Sequence, residues 1–137
     1  MDIKTLLNAF DLIRGQTKLQ VQGKFVASGG INNYLELAMA RRSGKTTALT
    51  EFAQKLLRRG NRILYLTPFS MQKELKDKFS NKNIWFATKP YEMERYRGLP
   101  PFDYILADEI NPAPFLKYPV ITSDTNIVRL YTPQNIG

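Results

Sequence analysis

Tyr34-Leu35-Glu36-Leu37-Ala38-Met39-Ala40-Arg41-Arg42-Ser43-Gly44-Lys45-Thr46-Thr47 joins a short apolar run to a Gly-Lys-Thr turn. A strand leading through such a turn into a helix is the setting of a phosphate-binding loop. Gly44 lets the backbone come close to a phosphate, Lys45 brings a point charge to the terminal phosphates, and the Thr46 hydroxyl suits Mg²⁺. Ala40, Arg41, Arg42, Ser43 and Thr47 complete the expected nucleotide-binding loop. The general pattern G-x-x-x-x-G-K-[ST] begins with Gly, whereas this chain has Met39, which could crowd the loop. Taken alone, the segment also reads as a basic turn that caps a helix.

Outward from this loop the chain alternates short apolar runs with helical patterns. Leu49, Phe52, Ala53, Leu56 and Leu57 share one face of a helix expected over 46–59 and closed by Gly60. Strands are expected at 34–39, 62–66, 84–87, 103–107 and 127–131, with helices over 71–79 and 91–96 and a turn at Gly98-Leu99-Pro100-Pro101. Strands separated by helices imply an α/β fold, a parallel sheet covered on both faces in three α/β/α layers, because parallel neighbours need long crossovers. Residues 33–137 form this domain, and 1–32 read as an N-terminal extension. Within the extension, Leu6, Leu7, Phe10 and Ile13 suit an amphipathic helix that packs or docks. The alternation of Leu19, Val21, Phe25 and Val26 before Ser28-Gly29-Gly30 suits a hairpin strand or a linker.

Composition narrows the chemistry. The chain has 137 residues, the size of one domain, and a formal net charge of +8, which favours a polyanionic partner or else only a solvated surface. It contains no Cys and no His, which excludes disulfides, thiolate metal sites and histidine bases, so catalysis falls to carboxylates, Lys, Arg or hydroxyls. No apolar run approaches a membrane span and the N-terminus lacks a signal-peptide pattern, so the expectation is a soluble cytoplasmic protein with no membrane partner.

The segment Phe102-Asp103-Tyr104-Ile105-Leu106-Ala107-Asp108-Glu109 supplies a second half. An apolar strand ending in two carboxylates puts Asp108 where it can reach Mg²⁺ and Glu109 where it can orient and deprotonate a water. Asp-Glu after a strand is also ordinary turn chemistry. Joined to a phosphate loop about sixty residues upstream, the pair reads as half of one hydrolytic site.

Ala40-Arg41-Arg42-Ser43-Gly44-Lys45-Thr46-Thr47 resembles the deviant phosphate loop of the large terminase subunits, the DNA-packaging ATPases of tailed phages. Other landmarks are similar to terminases and to superfamily 2 helicases, which share a RecA-like lobe of the P-loop NTPase fold. Leu64-Tyr65-Leu66-Thr67-Pro68 looks like the second-strand motif that approaches nucleic acid, and Phe86-Ala87-Thr88-Lys89-Pro90-Tyr91 like the threonine-ended strand after it. Tyr131-Thr132-Pro133-Gln134 looks like the coupling motif, on a strand expected between the phosphate loop and the acidic strand.

The resemblance implies ATP and Mg²⁺ as cofactors. Lys45 would bind the β- and γ-phosphates, Thr46 and Asp108 would hold Mg²⁺, Glu109 would be the catalytic carboxylate and Arg41 a same-chain arginine finger. Thr132 and Gln134 would sense the γ-phosphate, or simply form a strand-ending turn. Thr67, Lys73 and Lys76, with Lys78 and Lys82, would track nucleic acid, or merely keep a surface helix soluble. Trp85 and Phe86 read as core before base stackers.

The implied function is ATP hydrolysis coupled to translocation or packaging of double-stranded DNA by a viral ATPase, with a ring of copies as one arrangement. The chain stops at Gly137, so neither a nuclease domain nor a second helicase lobe is expected unless a partner chain supplies it. The alternatives are a helicase-like lobe and a non-hydrolysing nucleic-acid-binding or regulatory module.

Overall fold

Five apolar runs of four to six residues align parallel in one sheet: β1 Tyr34–Ala38, β2 Ile63–Leu66, β3 Ile84–Ala87, β4 Tyr104–Asp108 and β5 Asn126–Tyr131. Their spatial order is β1-β5-β4-β2-β3. These elements come from a computed structural model that describes residues 3–13, 34–41, 43–80 and 83–133. The fold class is α/β, and β5 lies between β1 and β4, as the sequence suggested for the strand ending at Tyr131. The possible hairpin at 18–26 and the Ser28-Gly29-Gly30 break lie outside the described residues.

Three α-helices, α1 Ile3–Ile13, α2 Lys45–Arg58 and α3 Phe69–Lys78, accompany the sheet. Side chains alternate across each strand, so successive residues feed different cores. Ile63 and Tyr65 of β2 join Leu7 and Phe10 of α1, Leu49, Phe52 and Leu56 of α2 and Leu75 of α3. Leu64 and Leu66 turn the other way, into a second core with Met93, Phe102, Phe115 and Tyr118.

The described α-helices therefore all contribute to one face. Helices flank the parallel sheet, as the sequence led us to expect. Among the described residues the second face is covered by 3₁₀ helices at Pro90–Tyr96 and Ala113–Phe115 and by the chain around them. The short helix expected over 91–96 is one of these. It is too brief for costly α nucleation to be repaid, and the side chain of Glu92 closes its first turn on the Thr88 and Lys89 N–H groups. Pro112 and Pro114 hold the segment after Glu109 to a three-residue turn, in line with its Pro-rich sequence.

Helix α1 belongs to the main body rather than to a loose arm. Leu7 and Phe10 are each 1% exposed, and the carboxylate of Asp11, also buried, accepts the Tyr104 hydroxyl at 2.5 Å and pairs with Arg59 of α2. Helix α2 stops as its sequence indicates. Gly60 takes φ 83°, its N–H reaches Leu57 O at 3.0 Å and the Asn61 N–H reaches Leu56 O at 3.1 Å, closing the last turn with bonds that a non-Gly residue could make only under strain. No described helix is long and apolar enough to cross a membrane.

Candidate functional site

The carboxyl ends of β1, β4 and β5 and the N-terminus of α2 meet at one edge of the sheet. Gly44 adopts φ 86°, which turns the chain from β1 into α2 without any side-chain cap. The Ala48 N–H bonds back to Gly44 O at 2.9 Å, and the N–H groups of Lys45, Thr46 and Thr47 precede the intrahelical ladder. They form the positive end of a helix whose opposite face is anchored in the core by Leu49, Phe52, Ala53 and Leu56.

Sixty-two positions further on, the Asp108 carboxylate accepts the Thr46 hydroxyl at 2.6 Å. Asp108 is 4% exposed, the last residue of β4, in register with Leu130 of β5. Burial pushes its carboxyl above the ordinary value, the Thr46 bond opposes this, the neighbouring Glu109 charge adds to it and Lys45 draws it down. Tyr65 lies below. Burial first, and then the Asp108 charge, push its hydroxyl well above the ordinary tyrosine value, although that hydroxyl makes no hydrogen bond of ordinary geometry.

Hydroxyl and carboxylate together are hard oxygen donors of the kind Mg²⁺ takes. No group of three or more His, Cys, Asp or Glu that could hold a metal by itself occurs among the described residues. An ion here would draw its other ligands from phosphate and water, which is how Mg²⁺ is commonly held at nucleotide sites. Among the described residues, Ser43 Oγ, buried beside Gly44, has no hydrogen-bond partner, and a Cβ on Gly44 would meet nothing within 4 Å. The loop therefore has an unused polar group and room beside it, a cradle compatible with phosphate.

Glu109 has the left-handed φ of 73°, the one non-Gly residue described with positive φ. Its N–H bonds to Leu130 O at 2.9 Å, and its carboxylate accepts the Thr132 N–H. Thr132, expected as a coupling residue, thus touches the expected catalytic carboxylate through its backbone. Gln134, the other expected coupling residue, and Arg42 and Lys82 lie outside the described residues.

Ala40, Arg41 and Thr47 are exposed around the loop, while Lys45 is half-buried at the first position of α2. Met39 does not enter the loop. Its N–H extends the β1/β5 ladder to Tyr131 O at 2.8 Å, and its side chain packs against the first core. Thr67 is fully buried with Oγ1 unpartnered, and its carbonyl accepts the Thr88 hydroxyl at 2.7 Å. Lys73 and Lys76 are exposed on α3. Phe86 is core, and Trp85 lies between Phe102, with ring centroids 5.4 Å apart, and the Arg62 guanidinium at 4.5 Å, so it is occupied by the fold.

Two residues were missed. Glu36 of β1 and Arg129 of β5 pair at 2.9 Å in the sheet, and Arg129 also donates to Glu109 O at 3.4 Å. The available signal was one lone charge of each sign in two otherwise apolar strands, which alternation would bury together. Compared with known proteins, the chain matches no family model and no curated sequence at a significant level.

Proposed function

We propose that this chain is a Mg²⁺-dependent ATPase of the terminase type, a P-loop NTPase with a RecA-like lobe, whose hydrolysis is coupled to moving DNA. The observation that carries this reading is the 2.6 Å bond between Thr46 and Asp108, which joins the start of α2 to the end of β4 at an uncapped helix N-terminus. Lys45 and the first N–H groups of α2 would hold the phosphates, and Thr46 with Asp108 would hold Mg²⁺, which neutralises charge on the phosphate oxygens. Glu109 would take the proton of a water whose oxygen attacks the γ-phosphorus as ADP departs. Arg41 would stabilise the charge that develops, and Thr132 would carry loss of the γ-phosphate from Glu109 into β5.

Support for a DNA partner comes from the net charge of +8, the exposed Lys73, Lys76 and Lys78 on α3, and two strongly exposed aromatics. Phe69 and Tyr91, each 73% exposed, follow the ends of the adjacent strands β2 and β3. Rings beside lysines suit bases and phosphates respectively. A ring of copies fits a motor that grips DNA.

The test is steady-state ATP turnover with and without DNA for wild type, Lys45→Ala and Glu109→Gln. Wild-type turnover that DNA stimulates and both substitutions abolish is the expected result. A second reading, a non-hydrolysing nucleic-acid-binding module, is favoured by the engagement of Glu109 with Thr132. It wins if wild type does not turn over and DNA binding survives Lys45→Ala.

A further inference from the structure

Arg129 lies on the side of the sheet away from α2. Its neighbours Val128 and Leu130 face the α2 core, whereas Ile127 and, on β1, Tyr34 belong to the second core. The guanidinium is held on three sides. Nη1 bonds to Glu36 Oε1 at 2.9 Å, the plane lies over the Tyr131 ring at 4.2 Å, and Nη2 donates to the backbone carbonyl of Glu109 at 3.4 Å. Glu36 also receives the Tyr34 hydroxyl at 3.5 Å. With side chains only 19% and 9% exposed, Arg129 and Glu36 form a rigid, mostly dry pair.

The residue at the end of this chain of contacts is the one whose backbone is strained. A left-handed Glu persists only where its surroundings over-determine it. At Glu109 these surroundings are the Leu130 carbonyl, the Thr132 N–H and Arg129.

We propose that Arg129, braced by Glu36 and Tyr131, is a positioning residue that fixes the left-handed backbone of Glu109 and thereby aims its carboxylate. The inference rests on Glu109 being the carboxylate that activates water. Arg129 acts from the far side of the sheet and through Glu109 alone, so its loss should lower turnover without weakening nucleotide binding.

Arg129→Lys is the informative variant, because an ammonium can keep the pairing with Glu36 but lacks the second arm for the Glu109 carbonyl. The double variant Arg129→Met/Glu36→Leu removes the pair without leaving a buried charge unpartnered and serves if the single variant folds poorly. The full chain is used throughout. We expect kcat to fall about tenfold or more in either variant with nucleotide Kd within about twofold of wild type. The Thr132 amide, whose partner is the Glu109 carboxylate, should exchange its hydrogen faster while amides of β2 and β4 do not. Unchanged kcat and unchanged Thr132 exchange in variants that fold, alongside an inactive Glu109→Gln, would overturn the positioning role and leave the hydrolytic reading standing. Full turnover in Glu109→Gln would overturn both.

Discussion

The Glu109 carboxylate accepts the Thr132 N–H while the Glu109 N–H donates to Leu130 O at 2.9 Å, so a single residue grips the chain on either side of Tyr131, the last residue of β5. The bridge requires φ 73°, a conformation costly for any residue with a Cβ. Strain and candidate chemistry thus coincide. Glu109→Gly should be more stable than Glu109→Ala by about 1 kcal/mol, because both lose the Thr132 bond and only Ala keeps the backbone cost. Urea unfolding of the two variants checks this. Equal stabilities would mean that the backbone cost is absent.

Asp11 ties α1 to both α2 and the sheet. Truncating it to Ala leaves the buried Tyr104 hydroxyl and the half-exposed Arg59 without this carboxylate, and we expect a loss of about 2–4 kcal/mol. Tyr104→Phe, which removes only the hydroxyl, should cost about 1 kcal/mol. A double-mutant cycle by chemical denaturation should give a non-zero coupling between the two sites.

Glu92 gives a pH signature. Burial pushes its carboxyl up, but the N–H groups of Lys89 and Thr88, the Arg95 charge and the Gln72 amide together bring it below its ordinary value of 4.5. A carboxyl whose folded pKa is depressed contributes stability above the unfolded pKa and loses it as pH falls through the folded value. The deficit of Glu92→Ala should accordingly be about 1–2 kcal/mol at neutral pH and shrink in acid. Denaturation midpoints of both proteins across an acid series measure it. A pH-independent deficit would assign the cost to packing alone.

For the proposed nucleic-acid surface, Phe69→Ala and Tyr91→Ala should each weaken binding to a duplex with single-stranded tails by about 1–3 kcal/mol, with thermal stability unchanged because both rings are exposed. Lys73→Ala should instead weaken binding evenly across sequences and lower the salt dependence by about one counterion. Fluorescence anisotropy at several salt concentrations separates the two effects.

Much of the frame was readable because apolar runs announce strands. Ile84 to Ala87 is strand in sequence and structure alike, and α2 differs from its expected span by one residue at each end. The pairing of Thr46 with Asp108 followed from two motifs that make chemical sense only together. The backbone of Glu109 did not, since no Gly or Asn marks its left-handed turn. Arg129 escaped notice because its significance depends on β5 lying beside both β1 and β4, a matter of strand order rather than of local pattern. The kind of helix at 91–96 was not legible either, because so short a segment does not distinguish an α turn from a 3₁₀ turn.

Strand β5 has a consequence for the order of assembly. Among the described residues β1 pairs only with β5, and β5 is the last strand along the chain. Until it arrives, β4, β2 and β3 can pair with one another, but β1 has no described partner in the sheet. The loop that follows β1 and the carboxylates at the end of β4 are then linked through the packing of α2 but not yet through the sheet. Closure over so long a stretch of chain is slow. The ends of β1 and β4 should therefore take their final register late in folding, when β5 enters between them.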